Sequence, residues 1–281
     1  MHKLSQLETA SAAKPLAAIS VLLRAFNSDR SYGISELMVR LTKGIYFWII
    51  LVAATLVFAP AAAIGETVSQ LSRHSIKGRW SHWMAVLWSG LILRLMPGWT
   101  ITLTGREHIP PQGTPVVLIA NHESMADIWV LYELGIHFRW LSKIELFKIP
   151  LIGWAMRRAG YIAIDRGNRH SHSEAMKQCS ESLKSGVPVF FFPEGTRSRT
   201  GEMLPFKSGA FRLAKESGVP ILPVVLAGTK DLLPKGSGLP GKAHVKISVL
   251  PMERIAEGLE SADELASRLR EKMLAARKLI A

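Results

Sequence analysis

Cysteine is nearly absent from the sequence, which contains one cysteine in 281 residues. Cys179 therefore has no partner for an internal disulfide bond. Without a cysteine framework of the kind that small secreted domains use, we expect the bulk of the chain to face the cytosol. Cys179 lies in the helical pattern SHSEAMKQCSESL, and we interpret it as an inert helix residue. The sequence thus predicts neither disulfide chemistry nor an activated thiol.

Two other chemical signatures are also missing. The nine histidines are scattered without His-x3-His or His/Cys spacing, so we predict no metal site. No Gly-x-Ser-x-Gly stretch occurs, which argues against the nucleophile elbow of a serine hydrolase. The sequence also has no low-complexity tract and no repeat of fixed period, and 48% of its residues are apolar. This composition excludes a disordered chain.

Acidic residues are scarce relative to basic ones, with 22 Asp and Glu against 35 Lys and Arg and a net charge of +13. This excess favours an anionic partner: nucleic acid, the phosphate-rich face of a membrane, or a phosphorylated small molecule. The aromatic residues lie in apolar runs and are not interleaved with exposed basic residues, so we do not expect nucleic-acid binding by base stacking. A basic lipid-binding module remains the non-enzymatic alternative.

Two apolar stretches predict an N-terminal membrane anchor. GIYFWIILVAATLVFAPAAAIG, between Lys43 and Glu66, is charge-free and as a helix is long enough to cross the hydrocarbon core. Pro60 makes a kinked or re-entrant helix as credible as a straight span. WSHWMAVLWSGLILRLMPGW follows, either as an interfacial helix or as a buried core helix. We predict that residues 41–99 form a membrane-associated helical hairpin with both ends on the cytosolic side, and we assign no role to residues 1–40.

From about residue 100 onward, short apolar runs alternate with helical patterns, which is typical of a sheet covered on both faces. We predict that residues 100–281 form an α/β domain with a mostly parallel or mixed sheet of about seven strands and helices on both faces. The segment 229–242 is rich in Gly and Pro and is predicted to be a surface loop. The tail from Ser261 is an amphipathic basic helix, for packing or for membrane contact. The predicted strands are 100–104, 115–120, 138–142, 161–164, 187–192, 221–226 and 243–249, and the predicted helices are 124–134, 150–158, 170–185, 208–217 and 260–279.

A histidine and an aspartate follow the second predicted strand at a five-residue offset. If residues 122 to 127 were all helical, His122 and Asp127 would point about 140° apart. They meet only if His122 lies in the turn before the helix and Asp127 in its first turn. The imidazole would then be exposed at the carboxyl end of a strand, with one ring nitrogen held by a carboxylate and the other free as a base. Alternatively, SMAD matches a capping pattern, and Asp127 only satisfies helix amides.

Cationic side chains follow two further predicted strands. Arg166 comes directly after a strand, where it is suited to grip a phosphate or to pair with Asp165. In Glu194-Gly195-Thr196-Arg197, the glycine permits close approach of backbone amides to an anion, and the arginine offers a fork of donors. A Glu194–Arg197 ion pair is the alternative. Lys207 lies at a predicted helix start, where an anion is already favoured.

Four stretches in this order resemble the four blocks of the glycerolipid acyltransferases, most closely the 1-acylglycerol-3-phosphate acyltransferase (PlsC-type) family. They are Asn121-His122-x4-Asp127, Gly160 through Arg166, Phe192 through Ser198, and Val219-Pro220-Ile221-x-Pro223. The resemblance covers roughly residues 80 to 250. Ala163 stands where the family usually has an aromatic or larger apolar residue, a departure that affects pocket shape.

The resemblance implies a general base at His122, an orienting carboxylate at Asp127, and binding of the glycerol phosphate by Glu194, Gly195, Thr196 and Arg197. Lys143 and Arg166 also match family positions, and with Lys207 they complete the expected substrate-binding set.

The implied reaction transfers an acyl group from acyl-CoA or acyl carrier protein to the sn-2 hydroxyl of lysophosphatidate. The product is phosphatidate, for phospholipid biosynthesis. We expect no covalent acyl-enzyme and no cofactor beyond the thioester co-substrate. The expected location is a plasma or inner membrane, with the active site on the cytoplasmic face. Alternative acceptors are a lyso-ornithine lipid, another lysophospholipid or glycerol 3-phosphate.

Overall fold

The computed structural model describes residues 34–71, 76–198, 200–234, 239–254 and 260–281. Most of the segment 1–40 therefore lies outside the described residues, although the first helix begins at Ile34, ahead of the predicted hairpin. The α-helices are α1 (Ile34–Ser69), α2 (Arg79–Leu95), α3 (Asp127–Leu131), α4 (Ile152–Arg158), α5 (Arg169–Lys184), α6 (Gly209–Ser217), α7 (Thr229–Leu232) and α8 (Ala262–Ile280). The strands are β1 (Trp99–Thr104), β2 (Val117–Ala120), β3 (Arg139–Lys143), β4 (Ile162–Ile164), β5 (Val189–Phe191), β6 (Ile221–Ala227) and β7 (Ala243–Val249).

The seven strands form one sheet in the order β1-β7-β6-β2-β5-β3-β4. Strands β6, β2, β5, β3 and β4 are parallel to one another. Strand β7 pairs antiparallel with β6 and parallel with β1, so both run in the opposite direction. The predicted mixed α/β sheet is confirmed. Because β2, β5, β3 and β4 are parallel, the residues that follow them meet at a single edge of the sheet.

The sheet separates two buried cores, and the central strand β2 contributes to both. Leu118 and Ala120 face the core under α1, α2 and α3, whereas Val117 and Ile119 face the core under α5, α6 and α8. This alternation explains why β2 is apolar throughout. Cys179 of α5 is fully buried in the second core, and burial raises the pKa of its thiol to about 12. The thiol therefore stays protonated, as expected of an inert helix residue.

Helices α1 and α2 form the predicted hairpin. Their antiparallel pairing is marked by two hydrogen bonds, from the Trp88 indole N–H to Thr55 Oγ1 (3.1 Å) and from the Tyr46 hydroxyl to the Leu95 carbonyl (3.3 Å). Helix α1 continues through Pro60 over its 36 residues. Among the described residues it is the one helix long and apolar enough to cross a membrane, judged by length and composition.

The polar face of α2 points inward, and much of its apolar face points outward. The buried Ser81 hydroxyl donates to the Ala62 carbonyl of α1 (2.8 Å), and the buried Ser89 hydroxyl donates to the Trp129 carbonyl (2.6 Å). These bonds satisfy polar groups that would otherwise be costly to bury. The apolar side chains at helical spacing that remain exposed are Trp80, Leu87, Leu91 and Leu95.

A buried carboxylate closes the hairpin turn. Glu66 of α1 accepts the N–H of Gly78 (2.7 Å), which precedes α2, and of Ser81 (3.2 Å), in the first turn of α2. Four N–H groups at a helix start lack intrahelical partners, and a negative charge is favoured there. Glu66 therefore supplies from α1 the cap that the residue preceding α2, Gly78, cannot supply.

Three local predictions need refinement. The predicted helix 124–134 is reduced to α3, with a 3-10 turn at Tyr132–Leu134, because the amides of Glu123 and Ser124 bond to the Asp127 side chain in a turn ahead of the helix. The predicted loop 229–242 opens with α7, while residues 235–238 lie outside the described part of the chain. The tail is a packing element, since α8 buries Leu265, Ala266, Leu269 and Met273 in the second core.

Candidate active site

His122 and Asp127 meet in the turn between β2 and α3. The His122 Nδ1 lies 2.7 Å from Asp127 Oδ2, with the histidine side chain 13% exposed and the aspartate fully buried. His122 lies two residues after the end of β2, and Asp127 is the first residue of α3. This is the placement that the five-residue offset required. Because the carboxylate accepts the Nδ1–H, the other ring nitrogen, Nε2, keeps its lone pair and can accept a proton.

Asp127 accepts backbone amides as well as the imidazole, so it does more than cap the turn. Its Oδ2 accepts the N–H of Glu123 (2.7 Å) and of Ser124 (2.9 Å) as well as the imidazole donor. The Ser124 hydroxyl accepts the N–H of Ala126 (3.2 Å), which completes a compact capping turn. One carboxylate oxygen therefore fixes the backbone of the turn and the orientation of the imidazole.

The loop after β5 holds the backbone of His122 from both sides. The buried Glu194 carboxylate accepts the N–H of His122 (2.8 Å) and of Leu204 (2.9 Å), and Ser198 donates its N–H to the His122 carbonyl (2.9 Å). Burial raises the pKa of Glu194, and the two backbone donors oppose that rise. The alternative Glu194–Arg197 ion pair does not occur among the described residues. The predicted phosphate-binding role of Glu194 stays a prediction, and the structure assigns this side chain a bracing role.

Two predicted cations flank the glycine of that loop. Gly195 has a positive φ of 72°, and a β-carbon placed there would lie 3.0 Å from Lys207 Nζ. On its carbonyl side, Arg166 donates to Gly195 O. The side chain of Asp165 accepts the N–H of Gly167, and the alternative Asp165–Arg166 ion pair does not occur among the described residues; Arg166 links its own loop to the loop after β5. Burial lowers the pKa of Arg166, opposed by the nearby Glu145 carboxylate.

The remaining predicted cations lie at the same sheet edge with exposed side chains. Lys143 ends β3 and forms an ion pair with Glu145 (3.1 Å). Arg197 and Thr196 extend from the loop after β5 into solvent. The structure therefore gathers the loops after β3, β4 and β5 around one edge, and these loops carry most of the predicted substrate-binding cations.

A stack of aromatic rings supports the imidazole. The ring of Phe192 lies 3.9 Å from the His122 ring, centroid to centroid, at an interplanar angle of 14°. Trp140 stacks on the other side of Phe192 at 5.5 Å and 15°. An aromatic face attracts positive charge, so the ring of Phe192 favours the imidazolium that forms when His122 accepts a proton.

An apolar cavity of about 250 Å³ lies between the helical hairpin and the sheet. Its wall includes Trp140 from the ring stack and Met125 from the catalytic turn, so the cavity approaches His122. Helix α1 contributes Phe58 and Ala59, and α4 contributes Met156. The cavity is thus enclosed partly by the predicted anchor and partly by the α/β domain.

A second, polar cleft of about 320 Å³ opens on the β6 side of the catalytic turn. Arg197 and Lys230 contribute positive charge to its wall, Asp231 contributes an acidic group, and Ser198 and Thr200 contribute hydroxyls. Arg197 is thus the one member of the predicted substrate-binding set that also belongs to the wall of this cleft, among the described residues.

Sequence reasoning missed several residues that shape this site. Phe192 was named as the start of a sequence block, and its stacking on His122 was not predicted. Lys230 lies in the segment 229–242, which was predicted to be a surface loop and not part of a site. Glu123, adjacent to the base, pairs with Arg277 in the last turn of α8. The only available signal for Glu123 was a charged residue at a buried strand end.

Comparisons with known proteins agree with this geometry. The sequence model of the Acyltransferase family matches residues 100–227. The chain is 39% identical over 172 residues to a chloroplast 1-acyl-sn-glycerol-3-phosphate acyltransferase of Brassica napus, over 61% of this chain and 49% of that protein. It spans about half the length of this relative and of a similar one from Arabidopsis thaliana. A Chlamydomonas reinhardtii protein named 1-acyl-sn-glycerol-3-phosphate acyltransferase is 35% identical over 253 residues, 86% of this chain and 73% of that protein.

A solved structure is similar over nearly its whole length. The crystal structure of the 1-acyl-sn-glycerophosphate (LPA) acyltransferase PlsC from Thermotoga maritima superimposes with a TM-score of 0.72 at 26% identity. The match covers 86% of this chain and 96% of that one. It therefore includes the helical hairpin region as well as most of the α/β domain.

Proposed function

The chain belongs to the 1-acylglycerol-3-phosphate acyltransferase (PlsC-type) family, and from that premise we propose that it acylates the sn-2 hydroxyl of lysophosphatidate to give phosphatidate. The acyl donor is a thioester of coenzyme A or acyl carrier protein. The observation that carries the proposal is the 2.7 Å contact between His122 and Asp127 at a sheet edge rich in arginine and lysine. The contact supplies a base, and the cations supply a binding region for a phosphorylated acceptor.

In the proposed reaction, neutral His122 accepts the acceptor's hydroxyl proton on Nε2 as that oxygen attacks the thioester carbonyl. A C–O ester bond forms, the C–S bond breaks, and the sulfur leaves as the thiol after receiving a proton. Asp127 stabilises the imidazolium that forms in between. A thiol is a good leaving group, so attack is direct and no covalent acyl-enzyme is needed. Positioning of the two substrates supplies much of the remaining acceleration.

The acceptor's phosphate is proposed to lie among the predicted cations. Arg197 and Lys207 lie in the segment after β5, Arg166 follows β4, and Lys143 ends β3. Guanidinium groups match phosphate with paired hydrogen bonds, and a lysine adds a point charge. The Gly195 α-carbon, which lacks a side chain, leaves room for Lys207 beside the loop.

Membrane attachment through the hairpin is part of the proposal. Helix α1 exposes a row of large apolar side chains: Ile45, Trp48, Ile49, Val52, Leu56 and Val57. Helix α2 adds exposed leucines while burying its serines, an arrangement suited to a lipid environment and costly in water. An apolar anchor beside the site places the base near the acceptor, which itself resides in the bilayer. The proposed location is the cytoplasmic face of the plasma or inner membrane.

The direct test is an in vitro assay of the full chain in detergent or vesicles, with lysophosphatidate and a series of acyl-CoA and acyl carrier protein donors. Release of free thiol should depend on the acceptor, and phosphatidate should appear in equal amount. Thiol release without an acceptor-dependent product would contradict transfer and indicate hydrolysis.

Removing a phosphate-binding cation should lower activity with a phosphorylated acceptor more than activity with an acceptor that lacks the phosphate. We expect Arg197→Ala to lower kcat/KM for lysophosphatidate about 30-fold, since a charge-assisted bond contributes about 2 kcal/mol. The rate with monoacylglycerol, which lacks the phosphate, should change about twofold at most. Arg212→Ala, an exposed arginine on α6, is the matched control. Equal losses of Arg197→Ala with both acceptors would assign Arg197 a role other than phosphate binding. If the native chain itself acted on both acceptors at equal rates, a different class of acceptor would be favoured.

We further propose that the apolar cavity takes an acyl chain. Ala59 of α1 is buried in its wall, so Ala59→Phe should fill part of the cavity and lower kcat/KM for a sixteen-carbon chain about tenfold relative to an eight-carbon one. Ala53→Phe, on an exposed position of the same helix, should leave the chain-length profile unchanged. Competition assays with mixed acyl donors measure the ratio, and an unchanged ratio in Ala59→Phe would remove the acyl chain from this cavity.

A further inference from the structure

The last turn of the C-terminal helix contacts the catalytic turn through a charged pair. Arg277 Nη2 of α8 bonds to Oε1 of Glu123, the residue next to the catalytic histidine. The Glu123 side chain is 3% exposed and that of Arg277 is 20% exposed, so solvent screening of the pair is weak. Arg277 lies far beyond residue 227, where the match to the Acyltransferase family model ends. The pair therefore joins the catalytic turn to a part of the chain that the family's motifs do not include.

Glu123 is linked to the base by more than chain adjacency. Its N–H donates to the Asp127 oxygen that also accepts His122 Nδ1, at 2.7 Å in each case. Its carboxylate accepts from Asn121 Nδ2 (3.3 Å), and the same amide bonds to the backbone of Leu226 in β6. A displacement of Glu123 would therefore change the acceptor geometry at Asp127 and the direction of the imidazole.

Among the charges around Glu123, Arg277 contributes most to keeping its carboxyl ionised. Burial raises the pKa of the Glu123 carboxyl to about 7, and the nearby Asp127 adds to that rise. Arg277 opposes it most strongly, from α8, and Lys230 of α7 opposes it more weakly. Oε2 of Glu123 and Nε of Arg277 are buried and have no hydrogen-bond partner among the described residues. Without Arg277, a buried carboxyl would stay protonated to higher pH and lose its main tether.

We propose that Arg277 and Glu123 are positioning residues for the catalytic base, through which the C-terminal helix fixes the turn that carries His122 and Asp127. The inference rests on the proposed acyl transfer. The inference concerns how the base is held, whereas the proposed function concerns which substrates react. The pair acts on the turn and does not touch the reacting atoms.

The first test is Arg277→Met in the full chain, assayed with lysophosphatidate and an acyl-CoA donor that the native protein uses. We expect kcat to fall about tenfold while KM for both substrates stays within about twofold, because the binding residues lie on other loops. Lys278→Met removes an exposed charge from the same helical turn and should retain native kcat. Native kcat in Arg277→Met would overturn the proposal, whereas absence of transfer by the native chain would overturn the proposed function instead.

The second test separates positioning from simple stability. Glu123→Met/Arg277→Met replaces the buried pair with apolar side chains of similar length and should restore a melting temperature close to native. We expect kcat to remain about tenfold low in this double variant. In Arg277→Met the acid limb of the pH profile of kcat/KM should move to higher pH, since the Glu123 carboxyl then ionises later. The proposal would be overturned if the double variant recovered kcat together with the melting temperature, or if the acid limb of Arg277→Met did not move. Either result would show that the pair is only a structural contact.

Discussion

Replacement of His122 with alanine is expected to lower kcat for acyl transfer by about 10²–10⁴-fold, the contribution of a general base. The imidazole is the only group removed, because Glu194 and Ser198 bind the backbone N–H and carbonyl of residue 122, which alanine retains. The turn and the phosphate-binding loop should therefore keep their geometry, and KM for lysophosphatidate should change about threefold at most. Thiol release at saturating donor measures the loss.

His170→Ala is the matched control for this variant. His170 is exposed on α5, so its loss should leave the rate unchanged. Both variants should melt cooperatively in detergent, with His170→Ala at the native temperature and His122→Ala somewhat lower, because Asp127 loses a hydrogen-bond partner and Phe192 loses a stacked ring. A folded His122→Ala protein with near-native kcat would refute the assignment of the base, even if acyl transfer itself were established.

The contact between His122 and Asp127 could be predicted because its geometry is local. Asp127 follows His122 at an offset of five residues, and helical periodicity alone decides that the two side chains meet only when the histidine precedes the helix. The location of Arg166 and Arg197 at the carboxyl ends of the strands followed from parallel strands, since each residue lies in the loop after an apolar run. These inferences need only the order of elements along the chain.

The supports of the site could not be predicted because they depend on contacts between distant segments. Arg277 lies 154 residues after Glu123, and no periodicity relates a helix end to a turn on another element. The stacking of Phe192 on His122 depends on which strands are neighbours in the sheet. The burial of Glu66 could not be predicted, because a carboxylate at the end of an apolar stretch is typical of a membrane boundary. In the structure this carboxylate caps the next helix.

Helix α2 exposes apolar side chains and buries polar ones, so its hydropathy pattern fits a lipid environment better than water. Its stripe of leucines and tryptophans indicated either an interfacial helix or a core helix. The structure leaves Leu87 and Leu91 exposed while Ser89 is fully buried with a hydrogen-bond partner. In water the exposed leucines would cost free energy, but in a lipid environment they are favoured, and the buried serines have hydrogen-bond partners in either case. A hydropathy pattern alone does not state which side faces the protein.

Asp127→Asn is expected to lower kcat by about 10³-fold, with a smaller effect on stability, and to separate the two roles of this residue. An asparagine oxygen can still accept the N–H groups of Glu123 and Ser124, so the capping turn should persist. The neutral amide, however, does not stabilise an imidazolium on His122. Its NH₂ would replace Oδ1, a buried atom with no hydrogen-bond partner among the described residues, and an unpaired donor there costs about 1–3 kcal/mol.

The melting temperature and kcat of Asp127→Asn should therefore change by different proportions. Asp263→Asn, in the first turn of α8, changes a carboxylate near a helix start without a catalytic partner and should retain native kcat. If Asp127 only capped the helix, Asp127→Asn would retain most of the rate and lose stability in step with the loss of charge at the helix start. A thousandfold loss of kcat in a protein that still melts cooperatively would instead require the negative charge beside the imidazole. The same carboxylate would then build the turn and stabilise the charge that forms on His122 as the acceptor oxygen attacks.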